Sequence, residues 1–368
     1  MTKTKENEKK EAIGIKRERE YGIDALRIIS MFMVVVLHML GNGGILDTAE
    51  CLSANYSVAW LLELFAFCAV NCYGLISGYV GLRAKYRYSN IMTLWLQVAF
   101  YTIGITFVFY FFRPEWVTFD RIKAAFLPVF SYQYWYFSAY FALFFIIPVL
   151  NIVVEKLPKK NLRAVIISVL LLFSVLQVGF GCDVFTVGNG YSTIWLAVLY
   201  VLGAYFKKYE ILKKFKPIQC LLIYLLCVLI TWGSKLYMEY AGIGLSDILV
   251  NYLSPTMVLA GVSLFAFFIH IRPGLIGSKI ISKLSPLAFG VYLIHVHPFV
   301  WNVMTYKLTG LLNGSAMRLV TGVLLISLAV FLICIMIDFI RTVLFNVIKI
   351  KKRFLTFENR FLGDFWNI

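Results

Sequence analysis

The sequence predicts an all-α, polytopic membrane bundle of about ten helices, and three observations carry that expectation. Of the 368 residues, 61% are hydrophobic and only 15% are charged, whereas soluble domains run at roughly 45–50% apolar and about 25% charged. Apolar stretches of near-spanning length recur along the chain, and a hydrocarbon core about 30 Å thick needs roughly 20 such residues per helix. Lys and Arg gather in alternate connections between these stretches, as the cationic bias of cytoplasmic loops requires.

The stretches run roughly over 23–40, 58–80, 91–112, 134–154, 164–180, 191–206, 218–232, 248–271, 284–304 and 319–340. The sixth and seventh are short for a span and can be tilted, partly re-entrant or extended into their flanks. Residues 1–20 read as a cytoplasmic polar tail, 21–341 as the membrane domain and 342–368 as a basic cytoplasmic tail. In that last segment Phe354, Phe357, Phe361 and Phe365 recur at near-helical spacing behind a cationic cluster. This is the pattern of an amphipathic helix lying on a bilayer surface.

Charge sets the orientation. Of the 35 Lys and Arg, 28 fall on one side of this alternation, six on the other (Arg113, Arg121, Lys123, Lys235, Lys307 and Arg318), and Arg27 near a helix start is left over. Both termini are therefore expected in the cytoplasm and the protein in the plasma membrane. The net charge of +16 sits in short tracts between apolar segments, so topology accounts for it and a nucleic-acid partner is not expected. The first apolar stretch lacks a small-residue cleavage site and reads as a retained helix rather than a cleaved signal.

Seven cysteines form no CxxC and no Cys/His cluster with metal-ligand spacing, so no metal site is expected. Cys68, Cys72, Cys220, Cys227 and Cys334 lie within apolar segments and read as small core residues. Cys51 and Cys182 fall in loops on the same outer side, which leaves a disulfide between them open.

The first helix, YGIDALRIISMFMVVVLHML, holds the most informative polar residues: Asp24, Arg27 and His38. At about 100° per residue, the eleven steps from Arg27 to His38 return to within roughly 20°, while a rise of ~1.5 Å per residue separates them by about 16 Å. One stripe thus serves two depths. Asp24 and Arg27 also read as an interfacial i,i+3 pair. An ionisable group deep in a spanning helix costs roughly 2.5 kcal/mol or more, so His38 calls for a functional reason.

Tyr21, Asp24, Leu26, Arg27, the apolar run and His38 resemble the opening of membrane acyltransferase family 3, whose first helix carries an arginine, ten residues and then a histidine. The resemblance continues through AVNCYGLISGYVG with Ser77 and Gly78, YWYFSAYFALFFIIPVLN with Trp135, Tyr136, Pro148 and Asn151, and SPLAFGVYLIHVHP with Tyr292 and His295. It spans residues 21 to about 300. The chain departs in one place: where many members carry R-x-x-R before the third helix, it has Arg83, Lys85 and Arg87, which read equally as solvated topological charge.

The resemblance implies transfer of an acyl group, usually acetyl from acetyl-CoA, to a hydroxyl of a cell-envelope polysaccharide or related acceptor. Acyl-CoA is then a donor substrate, with no tightly bound cofactor expected. Histidine accepts and returns a proton near neutral pH, which suits His38 as the base. Glu63, at a similar depth on the second helix, either orients the imidazole or is an interfacial glutamate. His295, three residues after Tyr292, is the second histidine of the expected site. His295 and His297 point about 200° apart on a regular helix and are not joint ligands. Asp24, Arg27, Arg83 and Arg87 are the expected donor-binding group, since coenzyme A phosphates need cations. Trp135, Tyr136 and Tyr292 offer aromatic faces to an acceptor, although aromatic belts are ordinary at a membrane surface. Ser77 with Gly74 and Gly78 reads as close helix packing.

The competing class is a transporter or exporter of a glycan or small molecule, which would spread its essential charges over several helices. A sensor or structural domain would leave His38 replaceable. The topology carries its own test: cysteine-accessibility mapping should find position 183 outside and position 208 in the cytoplasm, and the reverse placement of either contradicts the charge reading.

Overall fold

The computed structural model describes residues 19–363; the cations from Lys3 to Arg17 and the ring of Phe365 lie outside the described residues. The described chain is built of helices: α1 (Tyr21–Gly41), α2 (Ala54–Phe67), α3 (Ala69–Gly81), α4 (Tyr88–Phe112), α5 (Trp135–Lys156), α6 (Lys159–Leu170), α7 (Thr193–Tyr209), α8 (Pro217–Tyr240), α9 (Pro255–Ile269), α10 (Leu275–Leu284), α11 (Ala288–His295), α12 (Pro298–Met304), α13 (Ala316–Val347) and α14 (Ile350–Phe361). A π-helical stretch, Leu171–Leu176, carries α6 on toward Phe180. The bundle is all-α, with no strand among the described residues.

Helices are what apolar sequence must form in hydrocarbon, where every unpaired backbone group costs several kcal/mol. Their exposed first turns are closed by short polar side chains. Ser53, Ser192 and Ser315 accept from the backbone N–H of Tyr56, Trp195 and Arg318 at 3.1, 3.2 and 3.4 Å. The start of α4 is capped from a distance: the Glu358 carboxylate of α14 accepts from Tyr88 N at 3.0 Å and Ser89 N at 3.1 Å. The amphipathic tail helix expected behind Arg341 is thus present as α14, docked by a carboxylate on a helix N-terminus.

The span count differs from the expected ten. Among the described residues, seven helical rods are long and apolar enough to cross a membrane, or eight when the pair Leu275–His295 and Pro298–Asn313, bent by 73°, is taken as one span. Pro298, which cannot continue a hydrogen-bonded helix, makes that break. The remaining two expected segments form the short helices α7 and α9, of 17 and 15 residues. At ~1.5 Å per residue, 15 residues reach only about 22 Å. In the expected stretch 248–271 the first seven residues stay in turns and loop, and Pro255 opens the helix in the first-turn position that proline favours. The seventh stretch, expected to be short, is instead a full rod of 24 residues.

A consequence of that extension corrects the placement of Lys235. Assigned to an outer loop on charge alone, it lies inside α8 and is 2% exposed. Its ammonium lies 2.6 Å from Asp247 Oδ1 and 3.3 Å from Glu239 Oε1, over the face of Trp60. Arg341, counted with the cytoplasmic cations, is likewise buried, and chelates Asp338 within α13. Cys51 and Cys182 are both free, exposed thiols, with Cys51 Sγ 3.5 Å from Glu239 Oε2.

One buried amide sets where the short helices begin. Asn71, fully buried in α3, donates through Nδ2 to the carbonyls of Tyr252 at 2.9 Å and Met257 at 3.3 Å, and accepts through Oδ1 from Trp195 Nε1 at 3.1 Å. The starts of α7 and α9 are therefore tied to the interior of the α2–α3 rod. The loops that precede them enter the bundle at the end that carries His38.

Glycines let the rods meet. A Cβ on Gly78 would stand 1.8 Å from Tyr200 O, and one on Gly203 2.1 Å from Leu75 O, so α3 and α7 touch backbone to backbone. Around Gly104 of α4, by contrast, nothing lies within 4 Å of that position. Gly78→Val should therefore destabilise the purified protein by about 1–3 kcal/mol or more, as overpacking does. Gly104→Ala should leave its thermal unfolding midpoint unchanged or raised. Equal midpoints for Gly78→Val and wild type would contradict the close crossing.

Candidate active site

His38 sits three residues before the end of α1, and its ring is held from two sides. Its Nδ1 lies 2.9 Å from His295 Nε2, and the edge of Trp301 packs against it with ring centroids 4.9 Å apart. The other nitrogen of His295, Nδ1, lies 2.6 Å from Val291 O. A carbonyl oxygen only accepts, so His295 carries its proton on Nδ1 and presents a lone pair at Nε2. His38 must then donate from its own Nδ1. This assigns the lone pair of His38 to Nε2, at the far side of the ring from His295.

The local sequence makes that relay. His295 ends α11 and is fully buried, and Val291 lies one turn earlier, so its carbonyl is within reach of the side chain. The break before Pro298 turns the chain and brings Trp301 of α12 back over His38. Asn42, just past α1, fixes that return by donating to Trp301 O at 3.0 Å and accepting from Thr305 Oγ1 at 3.0 Å. His297 serves the turn itself, accepting from Phe299 N at 3.3 Å as a helix cap.

His38 opens onto a narrow cavity of about 40 Å³. Its walls include Tyr73 of α3, Trp135 and Tyr136 of α5, Tyr252 of the loop before α9, and Tyr292 of α11. Trp135, Tyr136 and Tyr292, the three aromatics proposed for the acceptor, thus share one space with His38. Tyr134, immediately before α5, secures that wall by donating to Leu293 O at 2.8 Å. The hydroxyl of Tyr292 is buried and donates to no group among the described residues, an arrangement that costs free energy unless something else accepts from it.

The opposite end of the α1 stripe is ionic. Asp24 accepts from Arg19 Nε at 2.5 Å, Arg27 Nη1 at 2.7 Å and Ser285 Oγ at 2.8 Å, and Arg27 Nη1 also donates to Ser285 Oγ at 3.0 Å. The i,i+3 pair is therefore real, and Asp24 acts on Arg27 rather than pointing at a ligand. Tyr73 links the two ends: it lines the His38 cavity and donates to Arg27 O at 2.8 Å. Arg83 is exposed and Arg87 half-exposed in the turn between α3 and α4, and neither lines the cavity.

Glu63 is not among the residues that line the His38 cavity. It is buried on α2, its Oε2 has no partner, and the bond on His38 Nδ1 comes from His295. Ser77 donates to Tyr73 O at 2.9 Å, one turn back, in keeping with packing rather than nucleophilic chemistry.

A family model described as an acyltransferase domain matches residues 20–338. The chain belongs to membrane acyltransferase family 3. No curated protein and no solved structure matches it. The matched region opens at the turn before α1 and closes at Asp338 within α13, so it holds His38, His295, Arg27 and the cavity walls and leaves α14 outside.

Ser285, Val291, Trp301 and Tyr252 complete the site and were not singled out in the sequence. Ser285 and Val291 lie inside the SPLAFGVYLIHVHP segment that carries the resemblance, but their parts are played by a hydroxyl and a backbone carbonyl. Trp301 and Tyr252 carry no local signal, since each arrives by a chain reversal.

Proposed function

We propose that this acyltransferase moves an acetyl group from acetyl-CoA on the cytoplasmic side to a hydroxyl of an envelope polysaccharide on the outer side, with both termini in the cytoplasm. The observation that carries the reading is the histidine relay. A buried carbonyl orients His295, His295 orients His38, and His38 is left with a lone pair in a site that also holds the undonated hydroxyl proton of Tyr292.

The chemistry follows from those two groups. The acceptor hydroxyl attacks the thioester carbonyl carbon while His38 Nε2 takes its proton. The imidazolium so formed keeps its Nδ1–H bond to neutral His295. Charge builds on the former carbonyl oxygen, and the Tyr292 hydroxyl is the donor proposed to receive it. The intermediate then expels the coenzyme A thiolate by breaking the C–S bond, His38 returns its proton to that sulfur, and the ester and free thiol separate. Orienting a neutral histidine by its Nδ1–H is the role a carboxylate plays in serine hydrolases.

Donor binding falls to the other end of α1. Arg27 spends Nη1 on Asp24 and Ser285, which fixes the plane of the guanidinium and leaves the rest of the fork for a phosphate of coenzyme A. Arg83 and Arg87, in the turn between α3 and α4, are further cations proposed to meet the donor. Eleven residues of helix, about 16 Å, then separate phosphate from base, a distance that the extended thioester arm of the donor has to cover.

Mass spectrometry of envelope glycans tests the proposal: cells with the protein should carry O-acetyl groups that cells without it lack. Tyr292→Phe keeps the ring and removes the hydroxyl, so it should lower the turnover number of the purified enzyme about 10²- to 10³-fold with the donor dissociation constant unchanged. Envelope acetylation independent of the protein, or full turnover in Tyr292→Phe, contradicts the respective claim.

A further inference from the structure

A second and larger space lies beside the histidine cavity. It measures about 340 Å³ and is walled by Gln177 and Asp183 after α6, Asn189 before α7, and Ser246, Asp247 and Asn251 in the loop before α9. That volume is within the roughly 300–1,000 Å³ typical of small-molecule sites. We propose that this cleft is the acceptor subsite, and that it takes an uncharged sugar unit of the polysaccharide. The inference rests on the O-acyltransferase reading above and adds where the acceptor binds and what charge it carries.

Its lining is built for hydroxyl groups. Gln177 is only 5% exposed; its Nε2 donates to Asp183 Oδ1 at 2.6 Å, and its Oε1 has no partner. A buried amide oxygen left unbonded is destabilising, and a ligand hydroxyl entering the cleft would satisfy it. Asp183 is locked in place, accepting also from Val187 N at 2.8 Å and Gly188 N at 2.7 Å. Asn251 Nδ2 donates to Asn189 Oδ1 at 3.1 Å, joining the two loops across the space. Amide and carboxylate groups in this density match the donors and acceptors of a sugar ring.

Position connects the cleft to the chemistry. Asn251 lines the cleft and Tyr252, the next residue, lines the His38 cavity. Tyr252 packs with Tyr191 and Trp135, with centroids 5.0 Å and 6.4 Å away, so an aromatic partition stands where a sugar face would lie. Two anchors keep the loop in place: Ser174 of the π-helical stretch donates to Leu253 O, and Asp247 is held by buried Lys235 at 2.6 Å. Charge selects the ligand. No Lys or Arg lines the cleft, and while Asp247 is paired with Lys235, Asp183 accepts only from neutral N–H groups, so a uronate or phosphate would meet its unpaired negative charge.

The test uses the full-length protein in cells lacking their own copy. Gln177→Leu and Asn189→Gly should each lower the acetyl esters on envelope carbohydrate at least tenfold relative to wild type. Asn189 is exposed and held at φ 51°, a conformation glycine adopts without strain, so Asn189→Gly keeps the local backbone even where Gln177→Leu fails to fold; thermal unfolding of both purified proteins separates the cases. Sugar analysis of the wild-type envelope should find the esters on uncharged sugar units. Wild-type ester levels with Asn189→Gly and a folded Gln177→Leu protein overturn the inference, as do esters found on a uronic acid or a phosphorylated unit. Ester content that does not depend on the protein at all overturns the O-acyltransferase reading, and this inference with it.

Discussion

The amide of Asn71 is the constraint on which the rest of the arrangement depends. It stands fully buried in an apolar rod, where each unmade hydrogen bond is costly, and it makes three, to Tyr252 O, Met257 O and Trp195 Nε1. Those partners belong to the starts of α7 and α9, so satisfying one side chain fixes the depth of two short helices, of 17 and 15 residues. Because they start within the bundle, the chain leading into each must pass through its His38 end as loop. Those loops supply Tyr252 to the histidine cavity and Asn189 and Asn251 to the neighbouring cleft. Irregular backbone at such depth is tolerated where it is buried in protein or lines a cavity.

The histidine relay solves a related problem by the opposite means. Instead of several partners on one side chain, a single carbonyl, Val291 O, sets the tautomer of His295 and through it that of His38. A neutral pair suits this position better than a carboxylate and a histidine would, since no net charge has to be buried before substrate arrives. At the other end of α1, where the charged Arg27 must stay, Asp24 compensates it within one turn. One helix therefore carries an ion pair at one depth and a neutral relay at another, with Tyr73 joining them along the wall of the cavity.

Much of this was legible in the chain. The apolar segments, the common face of Arg27 and His38, the aromatics of the cavity wall and the amphipathic α14 all depend on local periodicity, which survives any tertiary arrangement. Where the structure departs from expectation, long-range pairing is the reason. Lys235 looks like a loop cation because lysine is costly in a span; the carboxylates of Asp247 and Glu239 and the face of Trp60 offset that cost, and two of these partners lie outside α8. Segment 248–271 is apolar enough to read as a span, yet the Asn71 bonds and Pro255 cut its helix short. Glu63 has the right depth to face His38, but the bond at Nδ1 comes from a residue 257 positions away, which no helical period reports.

The central claim is that His38 is a base and that its surroundings exist to aim it. It is tested most directly by His38→Gln in the purified protein, with transfer of acetyl from acetyl-CoA to envelope glycan as the readout. Glutamine retains hydrogen bonding but cannot accept a proton near neutral pH. The account predicts that the transfer rate falls about 10²- to 10⁴-fold while the protein still folds; transfer at a near wild-type rate would contradict it.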